Sequence, residues 1–299
     1  MLKFSWENYL ILIMSCILLC SLTGNKKINA EESIMPIKIE SIKTERFTMK
    51  FFRFGNSASQ KKFIIIPGLS LKSVMNFADS VSEAYKNFLP DYEVFLFDIR
   101  EQLPENYRIQ DLARDLAESL DSLNIKQSYI LGVSMGGMIA QCLAVSRPDL
   151  ARKIVLGSTA SRIKPESEKF FDNLLTLAHE ENINNLTLAF SEKIYTPEFF
   201  SKYRDAILDA NKNVNDLELE RFMILAKAVK NFDIYDELDK IKSQVLVIGA
   251  GRDKIFGADY SRETANKIGC DLYIYENYGH AVYDEAPDYK ERIMKFFQE

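Results

Sequence analysis

Tyr129-Ile-Leu-Gly132-Val-Ser134-Met-Gly136-Gly137-Met-Ile-Ala140 is the stretch on which the fold turns. Residues 129–133 are an apolar run that ends at a serine, and residues 138–145 carry a helix-like run just beyond it. The pattern reads strand, sharp turn, helix, with Ser134 at the apex. Gly132 and Gly136 lie two residues before and two after that serine. A residue lifted out on such a turn draws the flanking backbones together, so those positions need side chains of minimal size. The Gly-x-Ser-x-Gly spacing alone recurs by chance. A strand before it and a helix after it make it specific.

Outward from this turn, strands alternate with helical segments. Residues 37–42 and 46–54 read as two antiparallel strands. Residues 61–66 form a short β-branched apolar run of the kind buried on both faces, ending in Pro67-Gly68-Leu69-Ser70. A helical pattern covers residues 72–88, and a buried strand covers 92–97, ending in Asp98-Ile99-Arg100. Residues 110–123 place Leu112, Leu116, Leu120 and Leu123 on one stripe of an amphipathic helix. After the serine helix stops at Arg147-Pro148, residues 153–156 are the next strand. Alternation of this kind implies βαβ units with right-handed crossovers. The expected fold is therefore α/β, a mostly parallel central sheet with helices on both faces.

From residue 161 to 239 the alternation stops. Four helices are expected there, over 166–179, 184–192, 197–210 and 217–230. Sheet logic resumes with a strand at 244–248, a helix at 260–268, a strand at 272–275 and a C-terminal amphipathic helix from about residue 287. The expected organisation is one α/β core, residues 31–160 and 240–299, interrupted by a helical cap at 161–239. Residues 1–30 stand apart. Lys3 precedes an apolar run at 9–22, polar residues follow, and Ala30 comes just before Glu31-Glu32. The run is shorter than the roughly 20 residues that span a bilayer. It suits a signal peptide cleaved after Ala30. The competing reading is an uncleaved anchor, with membrane contact only through residues 6–22. Ile13-Met-Ser-Cys16 resembles a lipoprotein box, but the apolar run continues past it. Either main reading places the protein outside the cytoplasm, secreted or membrane-anchored.

The composition is that of an ordinary globular protein, 47% hydrophobic and 27% charged, with charges of both signs interspersed and a net charge of -5. Nothing in it suggests a basic nucleic-acid surface. Two of the four cysteines lie in the leader; Cys142 and Cys270 are too few for a disulfide scaffold. Cys142 reads as a small core residue, and a bridge to Cys270 stays open.

A serine hydroxyl becomes a useful nucleophile when a base takes its proton. That base is normally a histidine held by a buried carboxylate. The chain has two histidines. His179 closes a helical stretch beside Glu180-Glu181 and reads as a solvated surface residue. His280 follows a strand, where parallel sheets present their functional groups. Asp253, just beyond the 244–248 strand, is the expected carboxylate, with Glu276 as second choice. Asp271 begins a strand at the wrong end of the sheet, and Asp98 reads as a structural turn residue. Acyl chemistry also needs two N–H donors for the oxyanion. Met135, at a helix N-terminus, and Leu69, after the 61–66 strand, are the expected donors, with Ser70 as the next choice after Leu69 and an expected substrate contact.

With these residues in view the chain resembles the α/β-hydrolase fold family, in particular its small capped esterase, lactonase and C–C-bond hydrolase branch. The resemblance covers about residues 45–298. It rests on Gly132-Val-Ser-Met-Gly-Gly137, on 147–156, on 238–248 leading to Asp253, and on Gly279-His280 through Glu285-Ala-Pro287. It implies Ser134 as nucleophile, Asp253 as acid, His280 as base, a lid over an acyl pocket, and no metal or organic cofactor. The family usually has His-Gly before the oxyanion residue, where this chain has Pro67-Gly68. It usually has a glycine-rich turn where this chain has residues 101–107, so that rim of the pocket is expected to be reshaped. The expected activity is hydrolysis of a carboxylic ester, thioester or lactone with an apolar acyl group. Phe170 and Phe199 in the cap are expected at the substrate. Acyl transfer, aminopeptidase action using cap carboxylates such as Glu166, Glu168, Asp172 and Glu198, and a catalytically silent binding protein are the alternatives.

Overall fold

A computed structural model describes residues 37–299. The signal-peptide, anchor and lipid-attachment readings fall on residues 1–30, outside the described part. Among the described residues no helix is long and apolar enough to cross a membrane.

The sheet has eight strands: β1 (Ile39–Lys43), β2 (Thr48–Gly55), β3 (Lys62–Ile66), β4 (Glu93–Phe97), β5 (Ser128–Val133), β6 (Ala151–Gly157), β7 (Gln244–Ala250) and β8 (Asp271–Tyr275). Their order is β1-β2-β4-β3-β5-β6-β7-β8. β1 and β2 pair antiparallel, as do β2 and β4, and every other pairing is parallel. The parallel strands are short apolar runs because helices cover both faces. Ile64, Leu131, Val155 and Val247 are fully buried. Burying each such side chain contributes about 1.5–3 kcal/mol.

The core helices are α1 (Ala78–Ala84), α2 (Ile109–Ser122), α3 (Met135–Ser146), α8 (Gly257–Ile268), α9 (Val282–Glu285) and α10 (Tyr289–Gln298). One expected helix is broken. Residues 72–88 become a 3-10 turn at Val74–Phe77, then α1, then a second 3-10 turn at Lys86–Phe88. The apolar spacing survives, since Val74, Phe77, Val81, Tyr85 and Phe88 are all buried. The first 3-10 turn has its own N-cap in Ser73, whose Oγ accepts the Met75 N–H at 3.2 Å.

Between β6 and β7 the chain leaves the sheet to form α4 (Pro165–His179), α5 (Ile183–Ile194), α6 (Pro197–Asn211) and α7 (Asp216–Lys230). The excursion departs and returns at one place, with the Ile163 N–H bonded to the Phe232 carbonyl at 3.0 Å and the Ile234 N–H to that of Ser161 at 2.9 Å. These four helices pack mainly on one another, α4 against α5 and α7, and α5 against α6.

Cys142 in α3 and Cys270 before β8 are both free thiols, so the bridge left open by the sequence is not formed. Burial pushes the Cys142 thiol up to about 12 and the Cys270 thiol up to about 11. The thiolate is the reactive form, so both should resist alkylation. Native protein held with iodoacetamide at pH 8 should leave both unmodified by peptide mass, and unfolding in guanidinium should expose them. Rapid native alkylation of Cys142 would contradict its packing.

Candidate active site

The chain runs from β3 outward to β4, then back to β5 on the other side of β3. Such a reversal opens a crevice at the C-terminal ends of the strands flanking it. Ser134 sits there, one residue beyond β5, facing the loop that follows β3.

Ser134 has φ 53° and ψ -121°, a left-handed conformation costly for a side chain with a Cβ. The surroundings hold it. Its N–H donates to the Gly157 carbonyl at 2.9 Å, and its own carbonyl accepts the Thr159 hydroxyl at 2.7 Å. The glycines allow the close approach. A Cβ on Gly132 would lie 2.5 Å from the Gly136 carbonyl oxygen, and one on Gly136 would lie 2.7 Å from that of Pro67. Gly68 faces the serine itself, since a Cβ there would lie 3.2 Å from the Ser134 Cβ.

His280 lies on the loop between β8 and α9, its ring buried. Its Nε2 is 2.9 Å from Ser134 Oγ and its Nδ1 is 2.8 Å from Asp253 Oδ2. Asp253, on the loop after β7, is also buried. Its Oδ1 accepts the Ile255 and Phe256 N–H groups at 2.8 and 3.0 Å. Burial opposes its charge, but His280 and these two amides outweigh burial and hold the carboxyl below the usual carboxylate range. An ionised carboxylate only accepts, so Nδ1 carries the imidazole proton and Nε2 is left to accept from Ser134. Asp253 and Ser134, 27 and 146 positions before His280, thus form one hydrogen-bonded chain with it.

Met135 opens α3, and an amide in a helix's first turn has no carbonyl one turn back to bond. Leu69 is buried on the loop beside Gly68. Ser70 donates its hydroxyl to the Lys72 carbonyl at 2.8 Å, within its own loop. Phe170 packs on Phe171 and Phe190, and Phe199 stacks between Tyr195 and Tyr203, ring centroids 4.9 and 4.7 Å away. The aromatic ring against His280 is instead Phe256, edge to face at 5.4 Å, with Phe171 behind it at 6.4 Å. No pattern in the sequence marks Phe256 for this position. Glu276 carries no bond to His280; its carboxylate lies near Arg262. Of the cap carboxylates, Glu166 and Glu198 are exposed and Asp172 pairs with Lys230.

Asp98 does more than turn the chain. Its carboxylate accepts the Ile99 N–H at 2.7 Å, takes the Ser73 hydroxyl, and pairs with Arg221 of α7. This ion pair joins core to cap across a cleft of about 590 Å³, which Glu101, Gln102 and Leu103 also line. The start of the segment that replaces the expected glycine-rich turn therefore forms part of the wall of that cleft. Among the described residues no group of three or more His, Cys, Asp or Glu side chains is placed to hold a metal ion.

A mostly parallel sheet with a strained serine at its switch point, and helices inserted between two late strands, defines a capped α/β hydrolase. Residues 61–287 match the family profile of the alpha/beta hydrolase fold, and the chain belongs to that family. It is 25% identical over 149 residues to 3-oxoadipate enol-lactonase 2 of Acinetobacter baylyi, a match covering 50% of this chain and 55% of that protein. It is 24% identical over 204 residues to a putative carbamate hydrolase, RutD, of Caulobacter segnis, covering 67% of this chain and 76% of the other. The enol-lactonase of Burkholderia xenovorans LB400 shares the fold, with a TM-score of 0.72 and 20% identity over 87% of this chain and 100% of that one. So does MGS-M2, an alpha/beta hydrolase from a Medee basin deep-sea metagenome library, at 0.78 and 20% identity over 87% and 98%.

Proposed function

We propose that the protein is a serine hydrolase that cleaves a carboxylic ester, thioester or lactone through an acyl-Ser134 intermediate. The observation that carries this reading is the continuous chain from Ser134 Oγ through His280 to Asp253 at 2.9 and 2.8 Å. His280 Nε2 takes the Ser134 proton as Oγ attacks the carbonyl carbon. Asp253 holds the ring in the required tautomer and stabilises the imidazolium that forms. The N–H groups of Met135 and Leu69 receive the oxyanion, the first aided by the positive end of α3. The imidazolium then gives its proton to the leaving oxygen or sulfur. Water, deprotonated by the same nitrogen, releases the acyl group and restores Ser134.

Relatives named for an enol-lactonase and for carbamate hydrolases support water as the acceptor. The Phe256 and Phe171 rings beside the base favour an apolar acyl group. The export reading of residues 1–30 goes with this as a proposal, tested by N-terminal sequencing of protein recovered outside the cytoplasm. The function is tested with p-nitrophenyl esters of rising acyl length, together with intact-mass detection of a fluorophosphonate adduct. A single adduct on Ser134 and a chain-length optimum are expected. Folded protein that neither takes the adduct nor turns over any ester would remove the reading.

A further inference from the structure

His280 sits on a loop, and a loop alone does not hold an imidazole to within a few tenths of an ångström. Asp253 fixes the ring by one nitrogen. The backbone that carries the ring is fixed from the other side, by the cap. The Ala281 N–H donates to the Ile194 carbonyl, the last residue of α5, at 2.9 Å. Gly279 lies flat against the same junction, where a Cβ would come within 2.9 Å of the Ile194 oxygen and 3.1 Å of the Thr196 nitrogen. Five residues after His280, the Glu285 carboxylate closes the arrangement. Its Oε1 accepts the Thr196 N–H at 3.0 Å and its Oε2 accepts the Thr196 hydroxyl at 2.6 Å.

The chemistry of the pair is specific. Thr196 is the N-cap of α6, and its Oγ1 also accepts the Phe199 N–H at 3.4 Å. Thr196 itself is buried, and its N–H and hydroxyl point at one carboxylate that offers an oxygen to each. The α5–α6 junction thereby meets the chain on either side of the ring, by close packing at Gly279 before it and by hydrogen bonds at Ala281 and Glu285 after it.

We propose that Glu285 and Thr196 are positioning residues that hold the His280 loop against the α5–α6 junction, so that the cap sets the distance between the base and Ser134. This rests on the acyl-serine reading. It also divides the cap by role: the α5–α6 junction is part of the base's mounting, and substrate must enter elsewhere along the cap margin. Loss of the carboxylate frees the loop, and proton transfer from Ser134 slows because Nε2 no longer stays within bonding reach. Substrate binding does not use this contact, so KM should hold while kcat falls.

The test compares wild type with Glu285→Ala, Glu285→Gln, Thr196→Val and Thr196→Ser, measuring kcat and KM on the best ester, the rate of fluorophosphonate labelling, and the melting temperature. Glu285→Ala should lose about 10- to 100-fold in kcat and in labelling rate, the range for a catalytic group displaced by about an ångström. KM should change less than about threefold. Glutamine keeps an acceptor for the Thr196 N–H, and its amide can meet the hydroxyl oxygen, so Glu285→Gln should recover most of the rate. Thr196→Val should lie between wild type and Glu285→Ala, and Thr196→Ser should match wild type. These two carry the test if Glu285→Ala does not fold. Variants that melt lower but turn over and label at the wild-type rate would overturn the proposal, because the contact would then be structural only. Wild type that fails to label would withdraw the acyl-serine reading and this one with it. Labelling of wild type with equal labelling of a folded Glu285→Ala would overturn this proposal alone.

Discussion

Ser134→Ala should lower kcat on the best ester by on the order of 10⁴-fold or more, with the melting temperature at or above that of wild type. In the proposed mechanism the hydroxyl oxygen forms the acyl bond, and no neighbouring side chain replaces it. Removing it should not weaken the fold, because Ser134 occupies a strained backbone position that a shorter side chain tolerates as well. His280→Ala should cost a similar factor, and the double variant should be no slower than either alone, since the two act as one unit. Asp253→Asn is the sharper case. Asp253 Oδ1 is committed to the Ile255 and Phe256 amides. An asparagine must therefore place its oxygen there and turn its NH2 toward His280 Nδ1. That donor forces Nδ1 to accept, which puts the imidazole proton on Nε2, facing Ser134. The base is then blocked in an otherwise intact site, and kcat should fall by about 10⁴-fold. Steady-state kinetics on the four variants, with thermal melts to establish folding, make the measurement. An Asp253→Asn enzyme within tenfold of wild type would mean that the hydrogen-bonded chain does not carry the reaction.

How much of this was legible beforehand depends on how far apart in sequence the decisive residues lie. The serine turn was readable because its strand, its glycines and its helix are contiguous, and a short apolar run ending at Ser134 has few other meanings. Asp253 and His280 were readable because strand ends in a parallel sheet converge on one edge, so two local patterns predict a distant meeting. The four cap helices were readable from apolar spacing. Contacts without a local pattern were not. Asp98 and Arg221 are 123 positions apart, and Thr196 and Glu285 are 89 apart. Each looks like an ordinary turn, surface or capping residue until the cap is folded onto the core. The expectation that Phe170 and Phe199 meet substrate rests on their cap location, since helical spacing fixes only which face a side chain shares. Each packs on neighbouring aromatics, and the ring against His280 is Phe256, beside the carboxylate loop, which no local pattern marks. The break within residues 72–88 has no signal in apolar periodicity, which fixes the buried face and is shared by α-helix and adjoining 3-10 turns.

Gly136→Ala should be the most damaging single methyl in the protein. A Cβ at that position would overlap the Ile66 carbonyl, lying 2.6 Å from its carbon and 2.7 Å from the Pro67 oxygen. Both are backbone atoms of β3 and the loop after it, so no rotamer change relieves the clash. Either α3 or the end of β3 must move, inside a sheet whose strands are buried on both faces. Forcing atoms into such a site costs about 3 kcal/mol or more, at the upper end for overpacking because backbone has to shift. For a chain of this size the melting temperature should drop by about 6 °C or more. Gly269→Ala provides the contrast. Gly269 ends α8 with φ 74°, yet nothing lies within 4 Å of a Cβ built there. Its cost is conformational alone, about 1–2 kcal/mol, or a few degrees. The two variants should differ again in activity. Gly269→Ala is remote from Ser134 and should keep wild-type kcat. In Gly136→Ala, whatever fraction stays folded has Ile66 and Pro67 pushed outward, carrying Gly68 and Leu69 away from the serine. Its kcat per folded molecule should fall by about 10²-fold, the loss seen when one oxyanion donor is removed. Melting curves and active-site-titrated kinetics on both variants separate the two effects. A Gly136→Ala protein that melts with wild type and retains its kcat would mean that β3 and the serine helix do not meet at this glycine.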